Sequence, residues 1–228
     1  MPDSVVVTGG ARGVGAAIVA ELRAAGLHVE IIDVLTGQDA ASLQDARLAA
    51  TRAEAVAPLI GWVNNAAVFE DALVHLDPDA VLAAVTANLT PAVVGTSVAA
   101  AHFLAHARTG SIVNVSSHQA QRPVAGALPY ATAKAAIEGL TRATAVDYGR
   151  HDIRANAVAL GTIETERMSP AVRSTAGELH ALGRYGSASE VASTVAWLLS
   201  DASSFVTGAV IPVDGGRAVF GRDPEERL

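Results

Sequence analysis

The chain has 228 residues, half of them hydrophobic and 17% charged, with a formal net charge of -7. This suits a packed core and argues against a nucleic-acid partner, because such modules concentrate Lys and Arg. With no cysteine, disulfides and thiolate metal sites are excluded. The N-terminus enters an apolar strand without a basic leader. The longest apolar stretch, 92–107, carries Ser97, His102 and His106 and is shorter than the ~20 residues a bilayer demands, so a cytoplasmic protein with no membrane partner is expected.

In chain order, 5–7 predicts a strand ending in Thr8-Gly9-Gly10, and 16–25 a helix stopped at Gly26. Further strands are predicted at 28–34, 59–63, 111–115, 153–158 and 209–213, and helices at 80–107, 131–148 and 188–199. The Ala-rich interval from Asp33 to Leu59 predicts an abbreviated helix, with a short candidate strand around 42–44. Continuously apolar strands alternating with helices imply a parallel sheet covered on both faces. The fold class expected is therefore α/β, one doubly wound, Rossmann-like domain over 1–220, followed by a charged, solvated tail at 221–228.

Thr8-Gly9-Gly10-Ala11-Arg12-Gly13-Val14-Gly15 lies where the first strand turns into the first helix, and its glycines let the backbone approach a pyrophosphate at the helix N-terminus. A glycine pattern also occurs in turns that bind nothing, so position carries the argument. Asp33, 18 residues beyond Gly15 at the end of the second strand, can accept hydrogen bonds from an adenosine ribose. Tyr130 and Lys134 are four residues apart on a predicted helix, so phenol and ammonium share a face, and a cation there is expected to favour the phenolate. Such pairs are common on helix surfaces. Ser117, thirteen residues before Tyr130, closes a strand at the C-terminal end, where parallel sheets place ligands.

With these residues the chain resembles the short-chain dehydrogenases/reductases from about Val5 to Gly216. The family's glycine turn is met by Thr8, Gly9, Gly13 and Gly15, and its catalytic asparagine, serine, tyrosine and lysine by Asn88, Ser117, Tyr130 and Lys134. The resemblance also implies cofactor contacts from Arg12, Val14, Asp33, Asn65 and Ala66, from Asp45 as the acid near the adenine amine, and from Ile163 and Thr165 near the nicotinamide carboxamide. Ala67 and Leu160 depart from the family's usual glycine and proline, which bears on the shape of the nicotinamide pocket.

The resemblance implies hydride transfer between NAD(H) and a small-molecule secondary alcohol or ketone, with Tyr130 as general acid–base and no metal. Lys134 would bond the nicotinamide ribose, Ser117 would orient the substrate oxygen, and Asn88 would hold a relay water. The spacing of four resembles that of carbonyl reductases, whereas enoyl reductases of the family have a wider one. It further implies a homotetramer through the helices at 80–107 and 131–148. Asp33 favours NAD over NADP, while Arg12 points the other way or pairs with Asp33. The alternatives are an NADP-dependent carbonyl reductase and a cofactor-sensing protein without turnover. His118 reads as a pocket-lining or surface residue, since the elbow of a serine hydrolase is absent.

Overall fold

A computed structural model describes residues 3–166 and 168–221. Six parallel strands form one sheet in the order β2-β1-β3-β4-β5-β6: β1 Ser4–Thr8, β2 His28–Ile32, β3 Leu59–Asn64, β4 Gly110–Ser117, β5 Ile153–Leu160 and β6 Val210–Val213. Helices α1 (Gly13–Ala24), α2 (Leu43–Val56), α3 (Pro78–Ala105), α4 (Leu128–Tyr148), α5 (Pro170–Thr175) and α6 (Ala188–Leu199) connect them.

Alternation along β1 feeds two cores, since successive side chains of a strand point to opposite faces. Val5 and Val7 pack with Ile18, Leu22, Val195 and Leu198 of α1 and α6. Val6 packs on the other face with Ala49, Ala53, Trp62, Ala99 and Phe103, beneath α2 and α3. The chain leaves β1 to one side for β2 and returns past it to β3. That reversal opens a crevice beyond the C-terminal ends of β1 and β3, the place where such sheets bind ligands.

Two expectations change. The interval after Asp33 holds a full helix, α2, and no strand at 42–44: Ser42 is its N-cap and accepts from the Asp45 N–H at 3.2 Å. Ala46, Ala49, Ala50 and Ala53 recur at helical spacing and are buried, so small side chains supply a core face that looks weak by hydropathy alone. As a result β2 forms the sheet edge, and the Arg52–Glu30 ion pair at 2.6 Å ties α2 to it. The stretch at 92–107 falls, up to Ala105, within a helix of 28 residues, long and apolar enough to cross a membrane by length and composition. Its buried Ala84, Asn88, Ala99 and Phe103 mark it as a core helix lying on the sheet. Within the tail, 222–228 lie outside the described residues.

Candidate active site

The glycine turn is shaped by close backbone contacts. A Cβ on Gly15 would lie 2.0 Å from the Gly9 carbonyl oxygen, and one on Gly9, whose φ is +65°, would lie 2.9 Å from the Ala66 Cα. Any side chain would force the crevice apart. Asn65 stitches its two walls: its Nδ2 donates to the carbonyls of Thr8 (3.1 Å) and Gly9 (2.9 Å), while the Asn65 and Ala66 N–H groups donate to Thr8 Oγ1. The N-terminus of α1 has no side-chain cap, so its first N–H groups remain available to an anion. Val14 packs partly on the core, which orients this turn. The arrangement fits the diphosphate of a dinucleotide.

Asp33 is buried at the end of β2, its carboxylate accepting from the N–H groups of Ala11 (3.0 Å) and Leu35 (2.9 Å). It spans the glycine turn and the segment after β2, with lone pairs left for ribose hydroxyls. Arg12 is exposed, and among the described residues it forms no ion pair with Asp33. Asp45 stands in the first turn of α2 and accepts from the Asp39 N–H at 2.8 Å, bracing the loop ahead of the helix.

Ser117, Tyr130 and Lys134 come together at the C-terminal end of β4 and the start of α4. Ser117 and Lys134 are buried, and the Ser117 hydroxyl is near enough to the Tyr130 phenol to favour its ionised form. Lys134 Nζ lies 5.4 Å from the centroid of the Tyr130 ring and donates to the Val115 carbonyl at 2.7 Å. The ionisation runs opposite to the expected depression of the phenol. Burial pushes Tyr130 up to about 12, with Ser117 acting downward, and burial pulls Lys134 down to about 8. Loss of water outweighs mutual attraction because both groups are desolvated.

Lys134 is the only lysine in the sequence, so lysine-selective 13C labelling isolates its side chain. A midpoint near pH 8 is expected, and one near the usual 10.5 would contradict the burial argument. Between these values the unfolded chain binds the extra proton, so stability rises from about pH 8 to 10.5, and the full penalty applies below 8. Lys134→Met is expected to raise stability by ~1–2 kcal/mol, net of the lost bond to Val115, while abolishing turnover. Calorimetry beside a turnover assay checks both effects.

Asn88 is buried, its Nδ2 donating to the Ala84 carbonyl and its Oδ1 accepting from the Val68 N–H, both at 3.1 Å. The next residue, Phe69, stacks on Tyr130 with centroids 5.1 Å apart and planes at 28°. Asn88 thus reaches the phenol through the loop after β3. Sequence reasoning missed Phe69; its place just beyond a strand's C-terminal end was the available signal. Thr165 Cγ2 lies 3.8 Å from where a Gly13 Cβ would stand, and Ile163 bridges to Gly186, so their segment passes over the glycine turn. Buried His180 accepts from the Thr162 N–H at 3.1 Å and steadies that segment. The structure places Leu160 opposite Ser117 and Val213 in register, with its carbonyl bonded to His118 Nδ1 at 3.1 Å.

A buried polar chain sets α4 against the sheet. Trp62 Nε1 donates to Asn64 Oδ1, Asn64 Nδ2 to Asn114 Oδ1, and Asn114 Nδ2 to Thr141 Oγ1, at 2.8–2.9 Å. Glu138, one turn beyond Lys134, accepts from Ser116 at 3.1 Å and Gln121 at 3.3 Å. These bonds orient the helix that carries Tyr130 and Lys134.

Comparison with known proteins gives a consistent picture. A family model described as enoyl-(acyl carrier protein) reductase matches residues 9–218. The cis-4-hydroxycyclohexanecarboxylate dehydrogenase of Sinomonas cyclohexanicum is 38% identical over 239 residues, covering 92% of this chain and 94% of that protein. A 2,5-dichloro-2,5-cyclohexadiene-1,4-diol dehydrogenase of Sphingobium indicum is 32% identical, with 93% and 96% covered. The structure of a short-chain type dehydrogenase/reductase from Mycobacterium ulcerans superposes with a TM-score of 0.86 at 27% identity, covering 95% of this chain and 90% of that one.

Proposed function

The chain belongs to the short-chain dehydrogenase/reductase family and is a hydride-transferring oxidoreductase, and from that premise we propose that it interconverts a secondary alcohol and a ketone with NAD(H). The observation that carries the reading is the group formed by buried Ser117 and Lys134 with half-buried Tyr130 at the C-terminal end of the sheet, together with the uncapped N-terminus of α1. The nicotinamide, when bound, supplies or takes the hydride. Tyr130 gives its proton to the carbonyl oxygen or removes it from the alcohol, and Ser117 orients that oxygen. Lys134 holds positive charge beneath the phenol and reaches the nicotinamide ribose. Asn88 holds the Phe69 loop against Tyr130 and serves a relay water.

The family model's description names enoyl reduction, but the four-residue spacing of Tyr130 and Lys134 favours C=O chemistry. Gly9, Gly13, Val14, Gly15, Asn65 and Ala66 line the diphosphate side of the cofactor, Asp33 its ribose, Asp45 its adenine side, and Ile163 and Thr165 its carboxamide. Two relatives are named for oxidising alcohols on six-membered rings, so cyclohexanols and cyclohexanones open the test panel. Following reduced nicotinamide by absorbance over that panel tests the reading. Absence of turnover on every alcohol and ketone, with the cofactor bound, would favour a sensor.

The protein is placed in the cytoplasm, acting as a homotetramer through α3 and α4. Exposed Leu82, Val93, Leu104 and Val146 on these helices support that assembly, since burying them together removes apolar surface from water. Light scattering at micromolar concentration is expected to give four times the chain mass; a monomer would contradict it.

A further inference from the structure

A cleft of about 290 Å3 opens beyond the C-terminal end of β4, lined by His118, Arg122 and Val124 from the segment after β4, Glu178 from the segment after α5, and Arg217 and Phe220 from the segment after β6. Three stretches distant in sequence therefore meet at His118, the residue that follows Ser117 in the chain.

Both arginines are held in place. Arg122 donates from one nitrogen to the Arg217 carbonyl at 2.8 Å and to the Phe220 carbonyl, and Arg217 donates to Thr162 Oγ1 at 2.5 Å. A guanidinium carries five N–H donors in a rigid fork, and each of these anchors uses a single nitrogen. Arg217 is partly buried, and the cation of Arg122 is near enough to disfavour its charge. Against the two cations the lining offers, among the described residues, the carboxylate of Glu178. Asp214 stands near Arg217 as a second negative charge, its two oxygens each accepting one N–H, from Gly216 and Ala218.

His118 forms part of the wall. It is 6% exposed, its Nδ1 faces the Leu160 carbonyl, and its Nε2 is buried with no hydrogen-bond partner among the described residues. A carbonyl accepts only, so Nδ1 carries the proton and Nε2 keeps a bare lone pair when the ring is neutral. Burial and Arg217 both favour that neutral form. The cleft wall thus presents the spare N–H donors of two ordered guanidinium groups, which an apolar substrate would leave uncompensated.

We propose that this cleft is the subsite for a carboxylate remote from the reacting carbon, so that the substrate is a small hydroxy or keto acid read by Arg217 and Arg122, with His118 shaping the wall between carboxylate and reacting oxygen. The proposal rests on the oxidoreductase reading above for its choice of substrate, but the test separates the two. Binding of cyclohexanecarboxylate and of cyclohexanecarboxamide, neither of which has a reacting hydroxyl, is compared by calorimetry. At least tenfold tighter binding of the carboxylate is expected. Arg217→Gln should reduce that ratio toward one, and Arg217→Lys, which keeps the charge but not the fork, should leave it between. Melting temperatures of the variants confirm that the fold is intact, and Arg122→Gln gives a second route to the same loss. In turnover, 4-oxocyclohexanecarboxylate should exceed its methyl ester in kcat/KM by a similar factor. Equal affinity for acid and amide, or an unchanged ratio in both arginine variants, would overturn the subsite. Turnover of the ester as fast as the acid would overturn it too, while leaving the oxidoreductase reading intact.

Discussion

Tyr130→Phe is expected to lower kcat by ~100- to 10,000-fold while leaving cofactor affinity and the fold nearly unchanged, because only the transferable proton is removed. The aromatic ring stays, so the stack on Phe69 at 5.1 Å is preserved. What disappears is the hydroxyl whose ionised form the nearby Ser117 favours. Burial, which pushes that phenol up to about 12, also predicts an asymmetry between directions. Ketone reduction needs the protonated phenol, which is present throughout the neutral range, so its rate should change little between pH 6 and 9, below even the value near 10 of an ordinary tyrosine. Alcohol oxidation needs a proton acceptor, so its rate should climb with pH over the same range. Steady-state rates in both directions check this, and parental turnover by Tyr130→Phe would overturn the mechanism.

Asp33 is expected to make NAD(H) the better cofactor by ~100- to 1,000-fold in kcat/KM. A second phosphate on the ribose would bring like charge toward the carboxylate, and unit charges ~4 Å apart interact by on the order of 4 kcal/mol at an effective dielectric of 20, less at a solvated rim. The carboxylate cannot easily swing aside, since the Ala11 and Leu35 N–H groups hold it. Arg12 makes no ion pair with it among the described residues and would meet the phosphate as the one nearby cation of the turn. Asp33→Asn keeps the shape and an acceptor, and should shrink the preference at least tenfold. Asp33→Ser should do the same, with an added stability cost of ~1–3 kcal/mol for the two N–H groups left unpaired. Comparison of the two cofactors at fixed ionic strength checks the ratio. Stronger use of NADP by the unmodified protein would refute the assignment.

Much of the architecture was determined by the sequence alone, and the reason is local. Runs such as Val5–Val7 and the alternation of strand and helix report burial on both faces through nearest-neighbour chemistry. The spacing of Gly9, Gly13 and Gly15 likewise reports a turn that tolerates no side chain, and the structure puts backbone within 3 Å of two of those positions. The four-residue step from Tyr130 to Lys134 places both on one helical face without any knowledge of the fold.

Only the tertiary structure decided the rest, because it depends on groups far apart in the chain. Helix α2 is built on alanines whose burial arises from the sheet beneath them, so hydropathy understated it and suggested a strand where Ser42 caps a helix. The ionisation of Tyr130 and Lys134 was read from their proximity, yet their burial, supplied by β4 and the loop after β3, decides the direction. Arg122 and Arg217 are 95 residues apart, and no pattern in the sequence joins them. They share a cleft because β4 and β6 end on the same edge of one parallel sheet, which gathers the segments after those strands at His118.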